Sequence, residues 1–249
     1  MSLTIILSYA LIIGGIVIWS LLLPKGRQVP KNVMDGITVF GGAFLLGSCF
    51  INLVPHMYAD GFAVDVYGVS LKVGIAVLVG FLIQLVLEYM THGVEHGHNH
   101  CHANHVHPMT GLLIGLCIHA FLEGMPLVDS DGELHQSLLY GIVLHNIPIA
   151  LVLVSICLSN RYTFAKTLFL LTIFAVMTPL GSLCNTYCMS SDATVQALIM
   201  GIVVGILLHV SVSILFDHGN NTIKWWKIML IILAFIAAYL TPGCPEIYG

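Results

Sequence analysis

The chain has 249 residues, 58% of them hydrophobic and 8% charged, with a net charge of −4 when histidine is neutral and a mean hydropathy of +0.97. Soluble domains carry about 25% charged residues, so the composition excludes a soluble globular protein. There is no basic patch of the kind that binds nucleic acid.

A helix that crosses a bilayer needs about 20 mostly apolar residues. Eight segments qualify, at about 4–23, 36–58, 71–91, 109–127, 136–158, 164–184, 194–216 and 225–241. They occupy most of the chain, so residues 1–249 read as one transmembrane domain in an all-α polytopic membrane protein. The first segment lacks a basic leader and a small-residue cleavage site, and is expected to be a retained helix.

Taken in chain order, the connections sort by charge. Lys25, Arg27 and Lys31 fall between spans one and two, Arg161 and Lys166 beside five and six, and Lys224 and Lys227 beside seven and eight; Lys72 is the lone basic residue on the other side. Basic loops stay cytoplasmic, which places both termini outside. Asp60, Asp65, Asp129, Asp131, Glu133, Asp192 and Glu246 all fall on that outer side. Cys184, Cys188 and Cys244 map there too, where a disulfide is chemically permitted.

Between spans three and four lies "THGVEHGHNHCHANHVHP" (91–108), which holds seven histidines, among them His96, His98, His100 and His102, together with Cys101. Interspersed Gly and Asn argue against a stable helix, and a flexible Cys/His-rich tract reads as weakly metal-binding by composition. Spans four, five and six each contain a proline: Pro126, Pro148 and Pro179. Inside a helix, each would free the carbonyl four residues earlier, on Leu122, Leu144 and Ala175. Broken helices of this kind mark binding sites in transporters.

The spans hold few ionisable groups. His119 and Glu123 are one turn apart in span four, and His145 and Asn146 are in span five. A charge at membrane depth costs at least about 2.5–3.5 kcal/mol on insertion scales, so each needs compensation. Glu123 could be protonated, could pair with a protonated His119, or could share a cation with it. Two imidazoles and one carboxylate suit zinc, and also accept iron or manganese. His209 reads as a hydrogen-bonded packing residue, and Glu88 as a carboxylate reaching the inner interface.

At these residues the sequence resembles the ZIP family of divalent-metal transporters. "HAFLEG" (119–124) is similar to the family's His-x-x-x-Glu-Gly motif and "HNIPIA" (145–150) to the motif one span later. "GGAFLLGSCFINLVPH" (41–56) resembles its second-span pattern and "TPLG" (178–181) its sixth. The resemblance implies import of divalent metal, zinc first, with iron, manganese or cadmium as alternatives. It places His119, Glu123 and His145 on ligand positions, with Asn146 peripheral. It also implies a homodimer in a plasma or bacterial inner membrane, and spans 1, 4, 5 and 6 moving against 2, 3, 7 and 8. Members that hold two adjacent metals have further ligands where this chain has Ala120, Asn146, Ile149 and Thr178, so one transport metal is expected. No resident cofactor and no enzymatic activity are expected. The competing classes are an intramembrane zinc hydrolase, which lacks an H-E-x-x-H motif here, and a metal sensor that transports nothing.

Overall fold

A computed structural model describes residues 2–22, 30–62, 66–91, 109–129, 132–216 and 224–241. The His-rich tract at 92–108, with His96, His98, His100 and His102, lies outside the described residues, as do Lys25, Arg27, Asp65, Asp131, Cys244 and Glu246.

The described chain is helical: α1 (Leu3–Leu22), α2 (Lys31–Ser48), α3 (Val54–Phe62), α4 (Val66–Thr91), α5 (Met109–Gly124), α6 (Gln136–Ser159), α7 (Phe164–Cys188), α8 (Ala193–Phe216) and α9 (Trp225–Leu240). A π-helical turn, Cys49–Leu53, joins α2 to α3, so these two form the second expected span. Among the described residues, six helical stretches are long and apolar enough to cross a membrane: Lys31–Tyr58, Ser70–Thr91, Met109–Leu127, Gln136–Ser159, Phe164–Cys188 and Ala193–Phe216. Leu3–Ile18 and Trp225–Leu240 are apolar but shorter. Leu71, Ile75, Leu78, Leu82 and Leu85 on α4, with Met229, Leu233, Ile236 and Leu240 on α9, point outward and exposed. Apolar outward faces of this extent suit a hydrocarbon surround, where backbone polar groups must be satisfied within the helices.

The prolines act in two ways. Pro148 and Pro179 sit inside their helices as expected, but α6 and α7 run on through them unbroken. Pro126 does not kink α5, contrary to expectation. The helix has ended at Gly124, and Pro126 occupies a 3-10 turn, Met125–Leu127. The residue before a proline is pushed away from the α conformation and the proline itself has no N–H to donate, so termination is the less costly outcome.

The helices pack as two sets. In one, α5 lies along α7, and α1 contacts α6 and α7; in the other, α4 lies along α8, α2 along α9, and α2 and α3 against α8. Each set has a glycine lock. A Cβ on Gly124 would collide with the Thr178 backbone, and one on Gly181 with the Phe121 carbonyl, so α5 and α7 touch backbone to backbone. Gly80 against Ile202 and Gly205 against Val77 do the same for α4 and α8. Small residues at such crossings are how membrane helices gain close packing without a hydrophobic driving force between them. The sets meet mainly through α2 on α6 and α4 on α5.

The two ends of the bundle differ. At one, Lys227 Nζ pairs with Asp35 Oδ2 at 3.7 Å. At the other, a hairpin-like turn joins α5 to α6: the Asp129 N–H donates to the Glu133 carbonyl at 2.9 Å and the His135 N–H to the Leu127 carbonyl at 3.0 Å. Gly132 supplies the positive φ of 81° that this turn requires. Cys184 and Cys188 are free thiols, as are Cys49, Cys117 and Cys157.

Candidate metal centre

α5 presents His119 and Glu123 on one face because four residues make about one helical turn. His119 Nε2 lies 3.1 Å from Glu123 Oε1, and both side chains are fully buried. Across the gap, α6 contributes His145, 1% exposed, whose ring centroid is 5.8 Å from that of His119 at an interplanar angle of 73°. One ligand atom from each of the three lies within 4.8 Å of the others. The structure therefore brings together His119, Glu123 and His145, the expected ligands apart from peripheral Asn146.

Asn146 follows His145 on α6 and is fully buried. Neither its amide oxygen nor its amide nitrogen has a hydrogen-bond partner among the described residues, and the same holds for the hydroxyl of buried Thr178. Leaving a buried polar group unpaired costs about 1–3 kcal/mol, so these two side chains hold polar capacity that the helices do not use. Ala120 and Ile149 are fully buried apolar residues.

One partner was not legible in the sequence. Gln84 of α4 is fully buried, and its Oε1 lies 2.9 Å from His119 Nδ1. With Nδ1–H donating to that carbonyl oxygen, Nε2 carries the lone pair and faces the Glu123 carboxylate. A lone pair and a carboxylate 3.1 Å apart repel unless a positive charge lies between them. A bound divalent cation answers that requirement, and so does a second proton on the imidazole. A single glutamine in the run "GFLIQLVLEYM" carries no motif, and only the packing of α4 on α5 reveals its role.

For His209, the structure names the partners that the sequence could not. Its Nε2 lies 3.5 Å from Glu88 Oε2, and its ring meets Phe81 edge-on at 4.6 Å. Glu88 is partly exposed, at 31% of its side chain, and so is held at the α4–α8 seam while still reaching outward. A second group of potential metal ligands, His56, Asp129 and His135, had no spacing signal, because its members come from three separate segments.

No curated protein matches the chain. The family model described as "ZIP Zinc transporter" matches residues 109–240, more than half of the sequence. The match runs from α5 to α9 and contains His119, Glu123 and His145, while Gln84 and His56 precede it.

Proposed function

From the premise that this chain belongs to the ZIP zinc transporter family, we propose that it imports zinc into the cytoplasm through one site formed by His119, Glu123 and His145. Family members are membrane transporters of divalent metal and not enzymes. The chain is accordingly an integral, multi-pass membrane protein of the divalent-metal transport class. The choice of metal, the direction and the site are our reading. The observation that carries it is the burial of three ligand atoms from two helices within 4.8 Å of one another.

Two neutral imidazoles and one carboxylate leave a bound dication with a net charge near +1. Three protein ligands leave a zinc position open for water or a transient fourth donor, as in exchange-competent zinc sites. Asn146 offers a peripheral or water-mediated contact. The absence of carboxylates at 120, 146, 149 and 178 supports a single metal and a looser hold, which favours release.

The inward direction is what the family resemblance implies, and the orientation rests on the basic residues, which the positive-inside rule keeps cytoplasmic. In this reading all eight apolar helices cross the bilayer and both termini lie outside. The two glycine-locked helix sets suit alternating access, in which each would move as a unit against the other. The homodimer, a plasma or bacterial inner membrane, and a metal-receiving role for His96, His98, His100 and His102 in the cytoplasmic loop belong to the same proposal.

The test is uptake of radiolabelled zinc, iron, manganese and cadmium into proteoliposomes. Wild type is expected to accumulate zinc, and His119→Ala and Glu123→Ala to lose at least ten-fold in uptake at low zinc. Transport by both variants at the wild-type rate would rule the site out. A hydrolase or sensor would move no metal at all.

A further inference from the structure

A second cluster of metal-binding groups lies at the α5–α6 turn, at the end of the bundle opposite the Lys227–Asp35 pair. His56 from α3 and His135 at the start of α6 are both 8% exposed. Their rings stand edge to face with centroids 4.7 Å apart, and His56 Nε2 lies 3.9 Å from Asp129 Oδ2. Each of the three offers a ligand atom within 4.8 Å of the others. Tetrahedral zinc with bonds of about 2.0–2.1 Å needs ligand atoms roughly 3.3 Å apart, so a closure of an ångström or so completes the set. The hydrogen-bonded turn that carries Asp129 and His135 fixes their backbone in advance.

An independent feature points at the same spot. The three residues line a cavity of about 10 Å³ together with Pro126, Asn185, Gln196 and Met200, enough for about one water-sized particle. Gln196 donates from Nε2 to the Ser190 carbonyl at 2.8 Å, which leaves its Oε1 to accept from Asn185 Nδ2 at 3.0 Å. That chain fixes the Asn185 amide with its oxygen free. The oxygen is buried and has no hydrogen-bond partner among the described residues, while Asn185 itself is only 2% exposed.

We propose that His56, Asp129 and His135, with the Asn185 amide oxygen beside them, form a second divalent-metal site that captures the ion before it reaches His119, Glu123 and His145. The capture role rests on the inward-transport reading; the binding site does not. Two imidazoles and one carboxylate leave a coordination position open, which suits a transient stop and not a structural zinc. His135 and His145 are ten residues apart, so the stations are separated by about 15 Å along α6 at 1.5 Å per residue. An ion that leaves the outer set therefore travels along one helix to the inner.

The test uses the full-length purified protein with Co²⁺ as a spectroscopic probe and zinc uptake in proteoliposomes. His56→Gln/His135→Gln is expected to bind one Co²⁺ fewer than wild type and to raise the KM for zinc three- to ten-fold with Vmax unchanged. Asp129→Asn is the milder companion, expected to weaken the same Co²⁺ signal without emptying it. His119→Ala is expected to keep the outer Co²⁺ signal while losing uptake. An unchanged Co²⁺ count in the double variant overturns the site, and an unchanged KM overturns its capture role. If His119→Ala transported normally while the double variant still lost one Co²⁺, the inner assignment would fail and the outer site would stand.

Discussion

Replacing Gln84 with leucine would separate the proposed His119–Glu123–His145 metal site from the scaffold that orients it. Leucine is close in volume, so packing against α5 is largely kept, but the acceptor 2.9 Å from His119 Nδ1 disappears. Without metal, the imidazole can respond by moving its proton to Nε2, where Glu123 Oε1 waits at 3.1 Å. That exchange replaces one hydrogen bond with another, so the metal-free protein is expected to melt within a few degrees of wild type. With metal the exchange is unavailable, because Nε2 must present its lone pair. Nδ1–H is then left buried without an acceptor, at about 1–3 kcal/mol. That corresponds to roughly 5–150-fold in affinity, which overlaps the 10–100-fold typical of losing a partner behind a metal ligand. Zinc uptake should show a KM raised about ten-fold or more, and the zinc-induced rise in melting temperature should shrink to match. A KM within two-fold of wild type together with an undiminished zinc-induced rise would refute the tautomer argument.

Glu123→Gln keeps the side chain's shape and removes a fully buried charge. Its metal-free stability should equal or exceed wild type, while zinc-dependent stabilisation and uptake fall at least ten-fold, read by thermal melts and flux. Gly181→Val places bulk against the Phe121 backbone, where no flexible side chain can yield. Overpacking costs about 1–3 kcal/mol or more, seen as a lowered melting temperature, whereas Gly111→Ala, with nothing within 4 Å, should be neutral. Lys227→Met breaks a partly exposed pair with Asp35 and should change stability by no more than about 1 kcal/mol in the same melts.

Hydropathy placed the helices well because a membrane span is a long, one-dimensional signal: each apolar run has to cover the hydrocarbon thickness. Local chemistry misled at Pro126, where a run of apolar residues continues although the helix has stopped. The His119–Glu123–His145 cluster was legible because two of its members share one helical turn, and the third follows in a motif one span later. Gln84, His56 and Asp129 were not legible as partners, since each meets its neighbours only through the packing of separate segments. His209 and Glu88 looked like unrelated polar residues for the same reason, being 121 positions apart along the chain yet 3.5 Å apart across α4 and α8.

Where those long-range contacts fall matters for the cycle. His119, Glu123 and His145 all belong to the set containing α1, α5, α6 and α7, so the three proposed ligands can travel together without being pulled apart. Gln84 belongs to the other set, on α4, whose backbone is locked to α8 by Gly80 and Gly205. The Gln84–His119 hydrogen bond therefore crosses the seam, and a displacement of one set along the other by a helical turn, about 5.4 Å, would break this 2.9 Å contact. If the proposed site binds metal and the two sets slide as proposed, the metal would be held most tightly in the arrangement where Gln84 fixes the His119 tautomer. Sliding would take the acceptor from Nδ1–H and cost the metal up to about 3 kcal/mol of support. Release would then need no dismantling of the ligand set, only the loss of the contact behind it.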